Sequence, residues 1–405
     1  MKMVDWAELG NDLLAEVALK LDAIEDFVYF SVVCRSWNRA SSLVKRNWKS
    51  SMPYLLLAEN HKENPNFLRQ ILSINNDRYY QLSLPQTFGT RCYGTSIGWL
   101  VSIDLDGQID LLNPLTKERL PLPPQSTMPN RDLPVDGEEE DAICRRQDSI
   151  RKVIVVKDVE RGNDGNDLIV FVSHTHWKRL LAFARPGDQT WTTIVPPWPA
   201  KETTYDVPFS HRAVDLVIRD NTLLILYEDA SIGYLDLSDL STTTVKAKEF
   251  LPSPEELKSR LDTYLLEMYL VESFGSLLMV HRNKSDIWVP DSQVDEDDRY
   301  ETVGFEVFRF DIEVKKWEQV KELGDVALFV GDNQSISVRA SDCRNCKSNC
   351  IYFTDDYAEQ WDKPAKLGGH DMGIFDLKTG EFQKFYKGGN GNSDVCTPFW
   401  FMPQF

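Results

Sequence analysis

Three cysteines in the segment CRNCKSNC form the densest cluster of potential metal-binding or redox side chains in the 405-residue sequence. Thiolates at this spacing could bind zinc through Cys343, Cys346 and Cys350, with His370 or Cys396 as a fourth ligand. Structural zinc sites, however, usually combine two Cys-x-x-Cys or Cys/His pairs, and this segment holds one such pair. Polar residues surround the cluster just before a predicted strand, so we expect an exposed hairpin loop and no metal.

Two histidines and two pairs of acids are the other candidates for chemistry. His174 and His176 alternate along a predicted strand and would share a face, but without a nearby carboxylate pair we expect ordinary surface histidines. Asp355 and Asp356, like the acids at 297–298, could act in acid–base catalysis, although carboxylates at strand ends more often cap turns. The sequence has no nucleophile elbow, phosphate-binding loop or dinucleotide fingerprint. It therefore predicts neither a catalytic residue nor a cofactor.

The elements that position the N-terminal side chains are predicted to be helices. Leu9, Leu13, Val17 and Leu21 recur every fourth residue, and Leu14 widens this apolar stripe. Two more short segments, at 24–30 and 33–44, show helical spacing, and the residue at 11 or 12 is expected to cap the first helix. Three helices of this size cannot bury their apolar surface alone, so they need either the rest of the chain or another protein.

After residue 53 the sequence changes to many short strands rich in β-branched and aromatic residues. Several hairpins end in an aromatic residue that could lie between sheets, namely Trp191, Trp317, Phe382 and Phe385. Repeats of roughly 40–50 residues favour an irregular β-propeller, with a large sandwich as the alternative. One segment, SPEELKSRLDTYLLEMY from residue 253, predicts a short helix between blades.

The distribution of charge disfavours several classes of partner. The formal net charge is −18, and residues 1–50 contain equal numbers of basic and acidic side chains, so the excess acid lies in 51–405. Such a surface disfavours nucleic acid and anionic lipid. Acidic inserts at 128–148 and 291–301 are expected to be solvated loops, or else docking sites for a basic partner. With no apolar run of about 18 residues, no signal peptide and an odd count of cysteines, we expect no membrane span and a location in the nucleus or cytoplasm.

Residues 5–41, DWAELGNDLLAEVALKLDAIEDFVYFSVVCRSWNRAS, resemble the F-box family. The signature positions of that family are matched by Leu9, Asp12, Leu13, Leu14, Val17, Leu21, Val33, Cys34 and Trp37. Gly10 stands where the family usually has proline, which weakens a rigid turn before the first helix. In this family the helices bind a Skp-type adaptor, which links them to a cullin ubiquitin ligase. The resemblance thus implies the following adaptor-binding residues: Leu9, Leu13, Leu14, Val17, Leu21, Val33, Cys34 and Trp37.

The remaining chain, with strings such as LNPLTKERLPLP, FARPGDQTW and PFWFMP, is similar to plant F-box proteins that carry a KIB-type β-propeller. The resemblance implies a mainly β protein with an F-box module at 1–50 and a propeller at 51–405. It also implies a non-catalytic substrate receptor of a ubiquitin ligase that binds an unknown protein target. The alternative is a propeller enzyme or small-ligand-binding protein with a vestigial F-box. Because charge and periodicity change near residue 50, we expect 50–405 to fold alone, with a hinge at KRNWKSS and Pro53.

Overall fold

The computed structural model shows an N-terminal group of helices followed by a ring of β-sheets. It describes residues 6–57, 67–74, 76–128, 150–158, 167–174, 180–197, 212–241, 245–258, 266–287, 299–356, 371–384 and 397–405. The acidic inserts lie largely outside these ranges, as do His176, His370, Cys396, Phe385 and the acids at 297–298. None of the helices in the described ranges has the length and apolarity that crossing a membrane requires.

The predicted N-terminal helices are confirmed. They are α1 (Asn11–Leu19), α2 (Ile24–Val32) and α3 (Arg35–Val44). The expectation that Asn11 or Asp12 caps α1 is wrong, because the N-cap is Gly10, whose carbonyl accepts the Leu14 N–H at 3.1 Å. Gly10 has φ −56° and ψ 141°, a backbone conformation that proline also adopts.

The helices enclose a small apolar core. Its buried members come from all three helices and from the turn that follows them: Leu14, Ala18, Phe27, Phe30, Ala40 and Trp48. The helical stripe of the sequence is therefore split, because some of its residues enter this core and others remain at the surface.

The strands of the described residues form six sheets, the blades of a propeller. Blade 1 contains β1 (Tyr54–Leu56), β2 (Leu68–Ser73), β3 (Arg78–Ser83) and the last strand of the chain, β26 (Phe399–Phe401). Blade 2 contains β4 (Arg91–Gly94), β5 (Leu100–Ile103), β6 (Ile109–Leu112) and β7 (Arg119–Leu122). Blade 3 contains β8 (Ile150–Lys157), β9 (Leu168–His174), β10 (Leu180–Ala184), β11 (Thr192–Val195) and β15 (Val245–Lys246).

Blades 4 to 6 complete the ring. Blade 4 contains β12 (Ala213–Arg219), β13 (Thr222–Tyr227), β14 (Ile232–Asp236) and β16 (Lys248–Leu251). A short helix, α4 (Glu255–Lys258), precedes blade 5, which contains β17 (Leu266–Ser273), β18 (Ser276–Ile287), β19 (Arg299–Asp311) and β20 (Lys316–Val320). Blade 6 contains β21 (Val326–Val330), β22 (Ile336–Arg339), β23 (Cys350–Phe353), β24 (Gly373–Asp376) and β25 (Phe382–Gln383).

The ring is closed by pairing the first strand of the chain with the last. β1 and β26 are antiparallel, with Leu55 opposite Trp400. An apolar cluster fills each of the six seams between neighbouring blades. This confirms the predicted mainly β fold with a propeller and excludes the sandwich, since a sandwich has one interior between two sheets. The propeller is irregular as expected: β15 pairs parallel with β11, and β21 pairs parallel with β23.

Buried polar contacts join the beginnings of the innermost strands at one end of the ring. Lys152 Nζ near the start of β8 lies 3.1 Å from Asp215 Oδ1 near the start of β12. Asp332, before β22, lies 3.7 Å from Arg91 of β4 and accepts a 2.9 Å bond from Thr397, before β26. From this end β26 runs to the other end of the axis, where the chain meets the helices.

Two predicted aromatic anchors of the hairpins are confirmed. Trp191 is buried between blades 2 and 3, and Trp317 packs between blades 4 and 5. Phe382, in contrast, is 44% exposed on the outer strand of blade 6. The helix predicted from residue 253 is shorter than expected, because 266–269 belong to β17 and 259–265 lie outside the described residues.

Candidate functional site

The structure divides the predicted adaptor-binding residues into an exposed and a buried group. Leu13, Val17 and Val33 are 54%, 48% and 59% exposed. Leu13 and Val17 are four residues apart on α1 and therefore share one face of that helix. Apolar side chains that stay this exposed on a small module are typical of a surface that binds a partner.

The other five predicted residues contribute to the packing of the helices. Leu14 is fully buried, and Leu9, Leu21 and Trp37 pack half-buried against the same core. Cys34 is half-buried and occupies the N-cap position of α3. Changes at these positions are expected to alter the module itself, whereas changes at the exposed positions alter only its surface. Adaptor binding by either group stays a prediction.

Sequence reasoning missed the exposed apolar residues of α2. Tyr29 and Val32 are 64% and 70% exposed, and Val28 is also exposed, although Phe27 and Phe30 of the same helix are buried. A signal was available, because α2 carries apolar side chains on every face. A helix with apolar side chains on several faces must be buried against other protein on more than one face.

Another part of the helical module packs on the propeller. The ring of Phe405 lies 5.3 Å from that of Phe27 and 5.6 Å from that of Trp48, centroid to centroid. Lys45 Nζ lies 4.5 Å above the Phe405 ring. Trp48 is fully buried and donates its Nε1–H to the Leu21 carbonyl at 2.7 Å. The residues after β26 thus complete the core of the helices.

A single carboxylate ties α2 to blade 1. Glu25 accepts hydrogen bonds from Tyr54 Oη at 2.7 Å, Asn76 Nδ2 at 2.5 Å and Tyr80 Oη at 3.2 Å. Burial and the neighbouring Glu25 raise the pKa of Tyr54 above its usual range, so its hydroxyl remains a donor. This contact joins the first strand of the propeller to the middle of the helical module.

The segment that the sequence suggested as a hinge is part of this interface. Lys49 forms a β-bridge with Gln404, and Ser50 N–H donates to the Pro403 carbonyl at 2.9 Å. Trp48 is buried between this paired backbone and the helices. Helices and propeller therefore meet through backbone pairing, aromatic packing and a buried carboxylate.

The cysteine segment is largely a loop, as predicted, but it is not the exposed hairpin loop that we expected, because it joins β22 to β23 on opposite sides of β21 and two of its thiols point inward. Cys343 and Cys350 are buried, and Cys343 Sγ lies 3.2 Å from the Ser51 carbonyl. Burial raises the pKa of Cys343 to about 11, of Cys346 to about 12 and of Cys350 to about 11, so all three are neutral thiols. In the described part of the chain, no three His, Cys, Asp or Glu residues come together as metal ligands would.

The expectation of a surface histidine at position 174 is wrong. His174 ends β9 in the interior, and burial lowers its pKa to about 4. The acids after β23 are also not simple turn caps. Asp355 is fully buried, and Asp356 Oδ1 lies 2.8 Å from Nη1 of the buried Arg282. Sequence reasoning did not find Arg282, which is distant in the chain.

Comparison with known proteins agrees with this architecture. The model of the KIB1-4 beta-propeller family matches residues 71–376, which is more than half of the chain, and the F-box domain model matches residues 6–49. The chain belongs to the KIB1-4 β-propeller family. It is a plant-type F-box propeller protein, with the helices α1 to α3 inside the F-box match.

Two similar proteins of Arabidopsis thaliana match nearly the whole chain. F-box protein SKIP23 is 24% identical, covering 95% of this chain and 92% of its own length. F-box protein At2g05970 is 26% identical, covering 100% of this chain and 97% of its own length. F-box domains generally bind Skp-type adaptors within cullin ubiquitin ligases, so the names of these relatives support a role in such a ligase.

Proposed function

We propose that this F-box propeller protein is the substrate receptor of a Skp–cullin–F-box ubiquitin ligase in the nucleus or cytoplasm. The F-box binds the Skp-type adaptor, and the propeller binds a protein target for ubiquitination. In this role the conjugating enzyme of the ligase performs the chemistry. Its contribution is proximity, since holding the target beside the conjugating enzyme raises the effective concentration of the reacting groups.

The observation that carries the proposal is the exposed apolar surface of the F-box. Leu13, Val17, Val32 and Val33 remain exposed although the module already packs on the propeller through Phe405 and Trp48. The propeller contact therefore does not cover these side chains. A separate partner would bury them, which favours adaptor docking over a purely internal role.

The alternative is a propeller enzyme or small-ligand-binding protein whose F-box has lost its partner. A pocket with converging carboxylates or histidines of shifted pKa would favour this alternative, as would a loss of adaptor binding. Carboxylates do converge on Arg282, but Asp356 and Asp371 are less than a tenth exposed, and both bind Arg282 of blade 5 from the side of blade 6. The carboxylates are accounted for by these contacts, so the receptor is the better-supported function.

The decisive experiment measures adaptor affinity with surface variants of the full chain. Leu13→Ser combined with Val17→Ser should weaken binding of a purified Skp-type adaptor by at least about 30-fold, because interface anchors contribute about 2 kcal/mol or more each. The melting temperature should stay close to that of the wild type, since both side chains are already exposed.

Leu105→Ser provides the matched control, because Leu105 is an exposed leucine, 45% accessible, in a turn of blade 2. It should bind the adaptor like the wild type. Unchanged affinity in the Leu13/Val17 double variant would refute adaptor docking through this surface, and the vestigial F-box would then become the better interpretation.

A further inference from the structure

The seam between blades 5 and 6 contains a cluster of charged side chains that is buried apart from Glu267, whose side chain is 24% exposed. It lies near the beginning of β17, at the end of the ring away from the F-box. Blade 5 supplies the first part of the cluster and blade 6 the second: Glu267, Tyr269, Arg282 and Lys284 from β17 and β18, then Asp356 after β23 and Asp371 before β24.

Arg282 is the centre of this cluster and is completely buried. Its Nη1 donates to Asp356 Oδ1 and to the Thr354 carbonyl, both at 2.8 Å. Its Nη2 donates to Asp371 Oδ2 at 2.9 Å, and its Nε donates to Thr302 Oγ1 at 2.8 Å. The guanidinium therefore binds acceptors on both blades and holds the seam closed.

The carboxylates of the cluster outnumber its cations. Lys284 Nζ lies 2.8 Å from Glu267 Oε1 and 3.6 Å from Asp356 Oδ1. With Asp371, three carboxylates face the two cations Arg282 and Lys284. An uncompensated negative charge in a buried site is costly, and such a site commonly takes up a proton.

Among the residues that the structure describes, the charged groups packed around the cluster do not supply the missing positive charge. Towards the axis of the ring lie two ion pairs, Lys152–Asp215 and Arg91–Asp332, and each combines one positive with one negative charge. On the side of blade 6, Asp355 adds a carboxylate, with its Oδ2 3.5 Å from the Asp371 N–H.

The hydrogen bonds of Tyr269 locate the proton. Its hydroxyl oxygen lies 2.6 Å from Asp356 Oδ2 and 3.0 Å from Glu267 Oε2. Arg282 Nη1 donates to the same oxygen at 3.1 Å. A tyrosine hydroxyl has one proton, so it satisfies one of the two carboxyl oxygens. The other carboxyl oxygen also lies against the phenol oxygen, and this contact is favourable only if one of the two carboxyls carries a proton.

We propose that Glu267 and Asp356 share one proton across the seam between blades 5 and 6, and that loss of this proton as the pH rises loosens the seam. Burial, followed by the charge of Glu267, holds the pKa of Asp356 well above its usual range. Burial alone would raise the pKa of Glu267 as well, but Lys284, the hydrogen bond with Asp356 and Arg282 lower it below the usual range. The raised pKa is thus that of Asp356, and the two carboxyls titrate as a pair.

The direction of the pH dependence follows from the raised pKa of Asp356. Between the pKa of an unfolded aspartate and the higher value in the fold, folding takes up a proton. The protonated carboxyl of Asp356 therefore makes its full contribution to stability at low pH. This contribution is lost as the pH rises through the pKa of Asp356 in the folded protein. One proton corresponds to a tenfold change in the folding equilibrium for each pH unit.

The test compares the full-length wild type with Asp356→Asn, which imitates the protonated carboxyl in shape and charge. Infrared difference spectra should show a protonated carboxylic acid in the folded wild type at pH 6 that disappears on titration to alkaline pH. Asp356→Asn should lack this band. Hydrogen exchange in β17 and β23 should accelerate in the wild type as the proton is lost, beyond the ordinary pH effect, and Asp356→Asn should lack this acceleration.

Asp239→Asn serves as the control, because Asp239 pairs with Lys248 at an exposed site. It should keep the infrared band and the wild-type exchange profile. The wild-type spectrum alone decides the case if Asp356→Asn fails to fold: absence of a protonated carboxyl at pH 6 overturns the proposal. An identical band in folded Asp356→Asn overturns it as well. Neither readout involves the adaptor, so the outcome is independent of the ligase role.

Discussion

Replacing Phe405 with alanine should release the F-box from the propeller without opening the ring. The Phe405 ring packs on Phe27 and Trp48 and lies beneath Lys45, while β26, which closes the ring, ends at Phe401. The substitution therefore removes a contact of the helices and leaves the pairing of β26 with β1 in place.

The size of the effect can be worked out from the packing. Truncating a fully buried phenylalanine costs about 3–5 kcal/mol, and Phe405 is half-buried, so roughly half of this applies. The two aromatic contacts and the cation above the ring add about 0.5–1 kcal/mol each. Allowing for non-additivity, we expect a loss of about 3 kcal/mol, or about 100-fold in the equilibrium between docked and released helices.

Hydrogen exchange resolved along the chain measures this directly. Amides of α1 to α3 should exchange about 100-fold faster in Phe405→Ala, while those of blade 4 remain unchanged, because blade 4 does not contact the F-box core. Phe405→Leu keeps most of the buried apolar volume and should show less than a tenth of this acceleration. Equal protection of the helices in Phe405→Ala and the wild type would refute the assignment of Phe405 as a docking anchor.

The remaining predictions concern single sites and one truncation. Cys343→Ser should lower the free energy of unfolding by about 1 kcal/mol in a urea titration, because the thiol lies in an apolar cluster. Cys346→Ser should lower it by less, because Cys346 is more accessible. Equal losses in the two variants would contradict the inward placement of Cys343. Gly10→Pro should raise the melting temperature of the F-box, since φ is already −56° and a side chain at this position meets no atom within 4 Å; a lower value would show that the turn is strained. Burial lowers the pKa of His174 to about 4, from a normal value near 6.5. The free energy of unfolding should therefore have its full value above pH 6.5 and decrease towards pH 4. In urea midpoints measured across this pH range, His174→Leu should show a smaller decrease than the wild type. A shortened chain of residues 50–405 should close its ring but melt below the full chain, because the contacts of the helices with the propeller are lost; an unchanged melting temperature would restore the view of two independent modules.

The fold was largely predictable because its signals are local. The recurrence of Leu9, Leu13, Val17 and Leu21 is a property of one short segment, and each hairpin of the propeller is a contiguous stretch. The limits of this approach appear inside the helical stripe itself. Leu13 and Leu14 are adjacent and chemically identical, yet one is 54% exposed and the other 1% exposed. The angle of α1 against its neighbours decides between them, and that angle depends on tertiary packing.

The charged cluster between blades 5 and 6 was not predictable in the same way. Arg282 binds Asp356 and Asp371, which follow it by 74 and 89 residues. No periodicity connects positions so far apart, and the packing of blade 5 against blade 6 brings them together. The sequence carried one hint, since Arg282 and Lys284 interrupt an apolar strand. Charged side chains in such a position need buried partners, but the pattern does not name them.

The last residues of the chain close the propeller ring and also pack on the F-box, two modules that the sequence patterns treated as separate. Phe399–Phe401 closes the ring against β1, and four residues later Phe405 enters the core of the F-box. β1 itself begins at Tyr54, whose hydroxyl binds Glu25 of α2. Both strands that close the propeller therefore continue directly into contacts with the helices, so the docking of the F-box is linked to the closure of the ring. In a substrate receptor this coupling would fix the direction in which the propeller presents its target, because a flexible tether of the same length would let the target point away from the ligase.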